Sequence, residues 1–276
     1  MQKLTYEDFY KLAGVSQHKQ FENFLMDIVF QPERREKFYR GLIELGINWE
    51  EDIFRDYFEL YGAERKTFKQ DFTPHDVTEL LSRLTRRAKD RNGYAYYDPT
   101  AGTGGLLIAK WAQDSLEMPL GGAYPSQYLY RADELADNVI PYLIHNMVIR
   151  GMNAVIVHGN SLSGVAKQAY LICNPEDDFL KFSDVNVIEH TPATSEELGI
   201  VRWEEEAIEY KETGNMMQAH FIERTKEPPP RRHPFTGAHN QTEGRGVHRK
   251  SHSGKDVSGG EHHYSSERYE GGRSAC

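Results

Sequence analysis

Between Tyr94 and Trp111 the chain passes from the aromatic run Tyr94-Ala95-Tyr96-Tyr97, through Asp98-Pro99-Thr100-Ala101-Gly102-Thr103-Gly104-Gly105, into the apolar, helix-favouring Leu106-Leu107-Ile108-Ala109-Lys110-Trp111. That order spells a strand, a glycine-rich turn and the first turn of a helix, the place where an α/β fold holds a nucleotide-like ligand. Residues without a Cβ let the backbone pass close to a ligand, and the helix start points unpaired N–H groups at its negative groups. A glycine-rich turn can also be only a tight connection. Here an acidic residue, a proline and three glycines coincide at a strand-to-helix turn, which favours the ligand reading.

The segments that follow repeat the pattern. A helix is expected over 104–115, then the turn-rich Met118 to Gly122, then a second strand over Gln127–Ala132 that ends in Asp133-Glu134. An acidic residue at the end of the second strand is where α/β nucleotide sites accept hydrogen bonds from ribose hydroxyls, and Glu134 is the candidate ahead of Asp133. The competing role is a carboxylate placed at the start of the next helix, 135–150, where the helix dipole favours it. Gly151 then stops that helix. Ala154–His158 reads as a third strand closed by Gly159-Asn160-Ser161, and Ala169–Cys173 as a fourth closed by Asn174-Pro175-Glu176-Asp177-Asp178. Strands alternating with helices imply a parallel sheet with sites along its C-terminal edge. Val185–Ile188 suggests a fifth strand and Ser195–Leu198 a helical turn.

Upstream, Thr5 to Tyr61 carries apolar residues at helical spacing, such as Phe21, Phe24, Leu25, Ile28 and Val29, punctuated by Gly14, Pro32, Gly46 and Gly62. Phe9, Phe21, Phe24, Phe30 and Phe38 are most simply core. Thr73 before Pro74 has the form of a helix N-cap with proline at the first helical position, and Asp76 falls in the first turn. The domains expected are a helical N-terminal region (1–66), an α/β domain (67–225) and a disordered tail (226–276). The tail opens on Pro228-Pro229-Pro230 and is too poor in aliphatic residues to offset its ordering entropy.

The net charge is −9. From Lys226 onward nine Lys/Arg face six Asp/Glu, a net +3, which leaves −12 on residues 1–225. An acidic body argues against unaided binding of a nucleic-acid backbone, so a partner or a local patch must hold any such substrate. Two cysteines, Cys173 and Cys276, are too few for a disulfide framework or a cysteine zinc site, and no metal is expected. The tail's six histidines are read as solvated polar residues. The absence of an apolar signal core or membrane-length apolar run points to a cytoplasmic location and no membrane partner.

With these pieces in order, the sequence resembles the adenine-N6 DNA methyltransferases, and most closely the modification subunit of type I restriction systems. Asp71-Phe72-Thr73-Pro74, the loop Asp98–Gly105, Asp133-Glu134 and Asn146-Met147 carry the resemblance, which covers about residues 65–178. It implies a Rossmann-like S-adenosylmethionine-dependent methyltransferase sheet preceded by a helical region, incomplete on its C-terminal side and without a target-recognition region. It also implies S-adenosylmethionine as cofactor. Phe72, Thr73, Pro74, Thr100, Gly102, Thr103, Gly104 and Gly105 would surround its methionine end, with Asp98 meeting the amino group or ordering the loop. Glu134 would bind the ribose and Asn160 the adenine amino group. Asn174 and Pro175 would be catalytic, accepting hydrogen bonds from the target adenine. The partner would be DNA, held through a separate specificity subunit of a restriction–modification complex.

Two positions depart from the family pattern. Asn160 stands where Asp is usual, and can still accept through its amide oxygen. Glu176-Asp177 stand where a second proline and a base-stacking aromatic residue are usual. Lost stacking alone costs about 1–3 kcal/mol per base, whereas two carboxylates repel a phosphate backbone and resist an apolar base pocket. The chain therefore reads as a DNA adenine-N6 methyltransferase with a degenerate catalytic motif. The alternative is an inactive, cofactor-binding homologue serving a phage or mobile element as regulator or remnant. A nicotinamide dehydrogenase is disfavoured, because the loop lacks the Gly-x-Gly-x-x-Gly spacing.

Overall fold

Helix α1 (Tyr6–Ala13) starts on a reciprocal cap between Thr5 and Asp8 and stops at Gly14, whose φ of 68° is left-handed. α2 (His18–Val29) and α3 (Pro32–Glu44) follow, the second opening on its proline, and α4 (Arg55–Tyr61) closes the helical region. The computed structural model describes residues 4–61, 93–116 and 124–213. Phe72-Thr73-Pro74, the helix expected from Thr73 and the tail from Lys226 lie outside the described residues.

β1 (Tyr96–Asp98) leads through the glycine loop into α5 (Gly105–Leu116), then β2 (Tyr130–Glu134), α6 (Ile140–Ile149) and β3 (Ala154–Asn160). These three strands are parallel and adjacent in the order of the chain. α6 begins later than the periodicity suggests. Pro141 has no N–H to give and fits only in a first turn, so the residues before it are spent on a turn.

The fourth strand corrects the expectation of a parallel sheet. β4 (Val165–Cys173) starts four residues earlier than expected, leaving only Ser161 to Gly164 to join it to β3. A parallel crossover needs a dozen residues or more, so β4 turns back antiparallel on β3. β5 (Asp184–Val187) is antiparallel to β4, α7 (Pro192–Leu198) is capped by Thr191 and Gly199, and β6 (Arg202–Trp203) lies parallel to the start of β4. The sheet order is β1-β2-β3-β4-β5, with β6 beside β4, and the strand order does not reverse around β1 among the described residues. It is an open mixed sheet compatible with a methyltransferase fold.

One face of the sheet (Tyr130, Ala132, Ala154, Ile156, Tyr170, Ile172) shares a continuous core with the helices, including Phe9, Phe21, Phe38, Phe54 and Tyr57. Phe24 and Phe30 are half-buried at its margin. Tyr142 on α6 joins the layers, with its ring centroid 5.4 Å from those of both Phe54 and Phe58. The other face (Val155, Val157, Ala169, Leu171, Cys173) is covered by Leu198 and Ile200. Arg35 on α3 forms a bidentate, buried ion pair with Glu212 at 2.7–2.8 Å, fixing the helices to the last described segment. Among the described residues no helix is long and apolar enough to cross a membrane.

Candidate functional site

The three parallel strands end along one edge, and the glycine loop crosses the ends of the first two. Asp98 is the last residue of β1, Glu134 the last of β2 and Asn160 the last of β3. Glu134 holds the loop directly. One carboxylate oxygen accepts the Gly102 N–H at 2.8 Å, and the other accepts the Ala136 N–H at 2.8 Å. A carboxylate has about four acceptor positions, so this side chain retains capacity for two more donors such as a pair of vicinal hydroxyls.

The neighbouring Asp133 points to the opposite face. It is engaged by Arg131 at 3.0 Å and by the Tyr97 hydroxyl at 2.7 Å, while the Arg131 guanidinium also donates to the Leu198 carbonyl. Strand alternation thus separates the two carboxylates: the Glu134 carboxylate meets the loop, and Asp133 meets it only through its carbonyl, which accepts the Ala101 N–H at 3.0 Å.

Within the loop, Asp98 is buried and accepts the Thr100 N–H at 3.0 Å. Burial raises its pKa, helped by the charges of Glu134 and Asp133. Thr100 is exposed. Gly104 has φ +98°, and a Cβ there would lie 2.8 Å from the Met147 methyl and 2.9 Å from Leu143 Cδ1, so backbone and packing both require glycine. Among the described residues a Cβ at Gly105 would meet nothing within 4 Å, so none of them fills the space at the start of α5. A free carboxylate capacity beside an open helix N-terminus suits a ligand with a ribose and a polar, partly anionic end.

Thr103 is fixed from outside the loop. Its hydroxyl donates to Asp52, and its carbonyl accepts from the Asn146 amide at 2.8 Å. The same amide donates to Asp52 at 2.7 Å. Burial raises the Asp52 pKa against the opposing pull of these hydrogen bonds and of Arg150. Arg150 is itself buried, donating to the carbonyls of Trp49, Glu51 and Asn146. Sequence reading missed Asp52, because nothing in the spacing of a carboxylate in an N-terminal helical region ties it to a loop fifty residues on.

Asn160 stands at the same edge, its side-chain oxygen accepting the N–H groups of Leu162 and Ser163 in the β3–β4 turn. Asn174 and Pro175 are not brought to this edge. Because β4 runs backward, Ile172 pairs with Ala154, the first residue of β3, and Asn174 emerges at the opposite end of the sheet. There Asn174 is 1% exposed. Its amide donates to the carbonyls of Gly151, Asp178 and Lys181, and its oxygen accepts the Asp178 N–H. Asp177, at a positive φ of 54°, caps Ser126 through both carboxylate oxygens at 2.7 Å.

A cleft of about 340 Å³ lies beside the edge, between α2, the start of α6 and the β3–β4 pair. Of its lining groups, Asp137 meets both His158 and Lys167, and Glu22 meets Lys19 and, at the margin, His18. Burial lowers the His158 pKa despite the adjacent carboxylate. The glycine loop does not line it.

The family model described as N-6 DNA methylase matches residues 50–222, more than half of the chain. The chain belongs to the N-6 DNA methylase family. The match begins just before Asp52, so it takes in both the loop and the residues that hold it. Members of this family use S-adenosylmethionine, and their activity is methylation of DNA. No match is found among curated proteins or among solved structures.

Proposed function

We propose that this chain binds S-adenosylmethionine at the Asp98–Gly105 loop as the donor-binding component of a DNA adenine-N6 methylation system of the type I restriction–modification kind, working with a separate specificity subunit. The observation that carries this reading is the contact between Glu134 and the Gly102 N–H, made at the joint end of β1 and β2 with acceptor capacity to spare. When bound, the cofactor supplies a methyl group on a sulfonium sulfur. Glu134 would accept from the ribose hydroxyls, Gly102 to Gly105 would present backbone at the methionine end, and Asp98 would order the loop. Asn160 would face the adenine end, with Phe72-Thr73-Pro74 completing the site.

A second reading is favoured by the position of Asn174. A residue 1% exposed at the far end of the sheet is not presented to a target adenine beside the loop, and Glu176-Asp177 next to it disfavour a DNA backbone. In this reading the chain keeps donor binding without transfer, as a regulator or remnant carried by a phage or mobile element. A methyl-transfer assay on duplex DNA, run with the full chain alone and with candidate specificity subunits, separates the two. Weak or absent incorporation by the isolated chain is the expected result. Incorporation at ordinary enzyme rates, 1 s⁻¹ or so, would overturn the view that the Asn174 segment is an obstacle.

A further inference from the structure

The glycine loop is held from within by Asp98 at Thr100 and by the Gly104 N–H donating to the Ala101 carbonyl at 2.9 Å, and from the end of β2 by Glu134 at Gly102 and the Asp133 carbonyl at Ala101. Thr103, between Gly102 and Gly104, is held by the helical region. Glycine-rich backbone loses the most freedom when ordered, so a loop of this composition binds well only if something outside it has already fixed its peptide planes.

We propose that Asp52 is a positioning residue for the methyl-donor site: by accepting the Thr103 hydroxyl and the Asn146 amide, it fixes the loop in its binding conformation and links donor binding to the N-terminal helical region. Asn146 closes the arrangement, since its Nδ2 donates at once to Asp52 and to the Thr103 carbonyl, whose peptide plane also carries the Gly104 N–H. The carboxylate is kept in place by the Phe54 N–H at 3.0 Å. The backbone just before Asp52 is anchored to the end of α6 by Arg150, through the Trp49 and Glu51 carbonyls. Removing the carboxylate takes the acceptor from three donors, the Thr103 hydroxyl, the Asn146 amide and the Phe54 N–H. By linkage, a donor molecule bound at the loop tightens the hold of this segment on α6.

This inference rests on reading the loop as the donor site, and the experiment separates the two. S-adenosylmethionine is titrated calorimetrically into the full-length wild type and the variants Asp52→Ala, Asp52→Asn and Thr103→Val. In parallel, amide hydrogen exchange at Gly102 to Gly105 is measured without ligand. Asp52→Ala is expected to weaken binding by about tenfold or more and to speed exchange in the loop. Asp52→Asn keeps one oxygen for Asn146 and Phe54 and offers its amide to a reoriented Thr103 hydroxyl, so it stays within about threefold of wild type. Thr103→Val in the Asp52→Ala background adds nothing further, because the two act as one unit. Wild-type affinity and wild-type loop exchange in Asp52→Ala overturn the proposal, as does an Asp52→Asn variant that falls as far as Asp52→Ala. If the wild type itself binds no S-adenosylmethionine, the donor-site reading fails, while loop exchange in the ligand-free variants still decides whether Asp52 positions the loop.

Discussion

At the scale of single residues, buried polar groups show how tightly the helical region and the sheet are joined. His145 on α6 is fully buried, with its Nε2 2.8 Å from the Leu25 carbonyl and its Nδ1 2.5 Å from the Tyr39 hydroxyl. A carbonyl only accepts, so Nε2 carries the proton and Nδ1 accepts from tyrosine, the arrangement of a neutral ring. Burial lowers its pKa from 6.5 to about 3, with the Arg35 charge adding to the effect. The unfolded chain therefore binds the extra proton first, and this histidine's contribution to stability falls as pH drops from about 6.5 towards about 3, by at most about 1.4 kcal/mol per unit. Urea denaturation of wild type and His145→Gln across that range should show the difference between them shrinking as pH falls. A constant difference would mean that the ring is not held neutral.

Residue identities at the loop were legible in the sequence because glycine, proline and carboxylate types have few other reasons to coincide there. The choice of Glu134 over Asp133 follows from strand alternation, which fixes which carboxylate faces the loop once the strand ends are known. Asn146 is singled out only through the family resemblance, and its contact with Asp52 and Arg150 is assembled only by the folded chain, so no local pattern announces it.

Elements were legible where periodicity and punctuation agree. β1, α5, β2, α6 and β3 appear where glycine, proline and apolar spacing put them, within a few residues. The reversal at β4 was not, because five apolar residues at 169–173 look alike whichever way the strand runs. What decides direction is the length of the preceding connection, and Lys167-Gln168, which interrupt the apolar run of the strand, hid how short that connection is. The reversal places β5 beside β4 and the 210–213 segment next to β5, and Glu212 clasps that segment to Arg35 on α3. Besides Arg35 it accepts from the Tyr210 hydroxyl at 2.5 Å and the Val185 N–H at 3.2 Å. Glu212→Ala leaves a buried guanidinium unpaired and should cost about 3–5 kcal/mol, read from a urea midpoint shift at unchanged slope. A loss below about 1 kcal/mol would place the pair in water.

For the molecule as a whole, the parts of an N-6 DNA methylase are unevenly distributed. The edge formed by β1, β2 and β3 gathers Asp98, Gly102, Glu134 and Asn160, and the helical region adds its hold on Thr103. The opposite end holds Asn174 buried in hydrogen bonds to Gly151 and to its own segment, with Pro175 exposed beside it. The chemistry of the two ends therefore predicts a split between binding and transfer, with the cofactor bound and DNA left unmethylated unless a partner reshapes the Asn174 segment. The acidic body, −12 over residues 1–225, adds that any DNA contact depends on another subunit or on salt-sensitive local patches. The most direct test is calorimetric titration of S-adenosylmethionine into the full chain and into its Glu134→Ala variant. Saturable, one-to-one binding by the wild type, weakened by about tenfold or more in the variant, is the predicted result. No binding by the wild type at millimolar cofactor, or equal affinity in the two proteins, would contradict it.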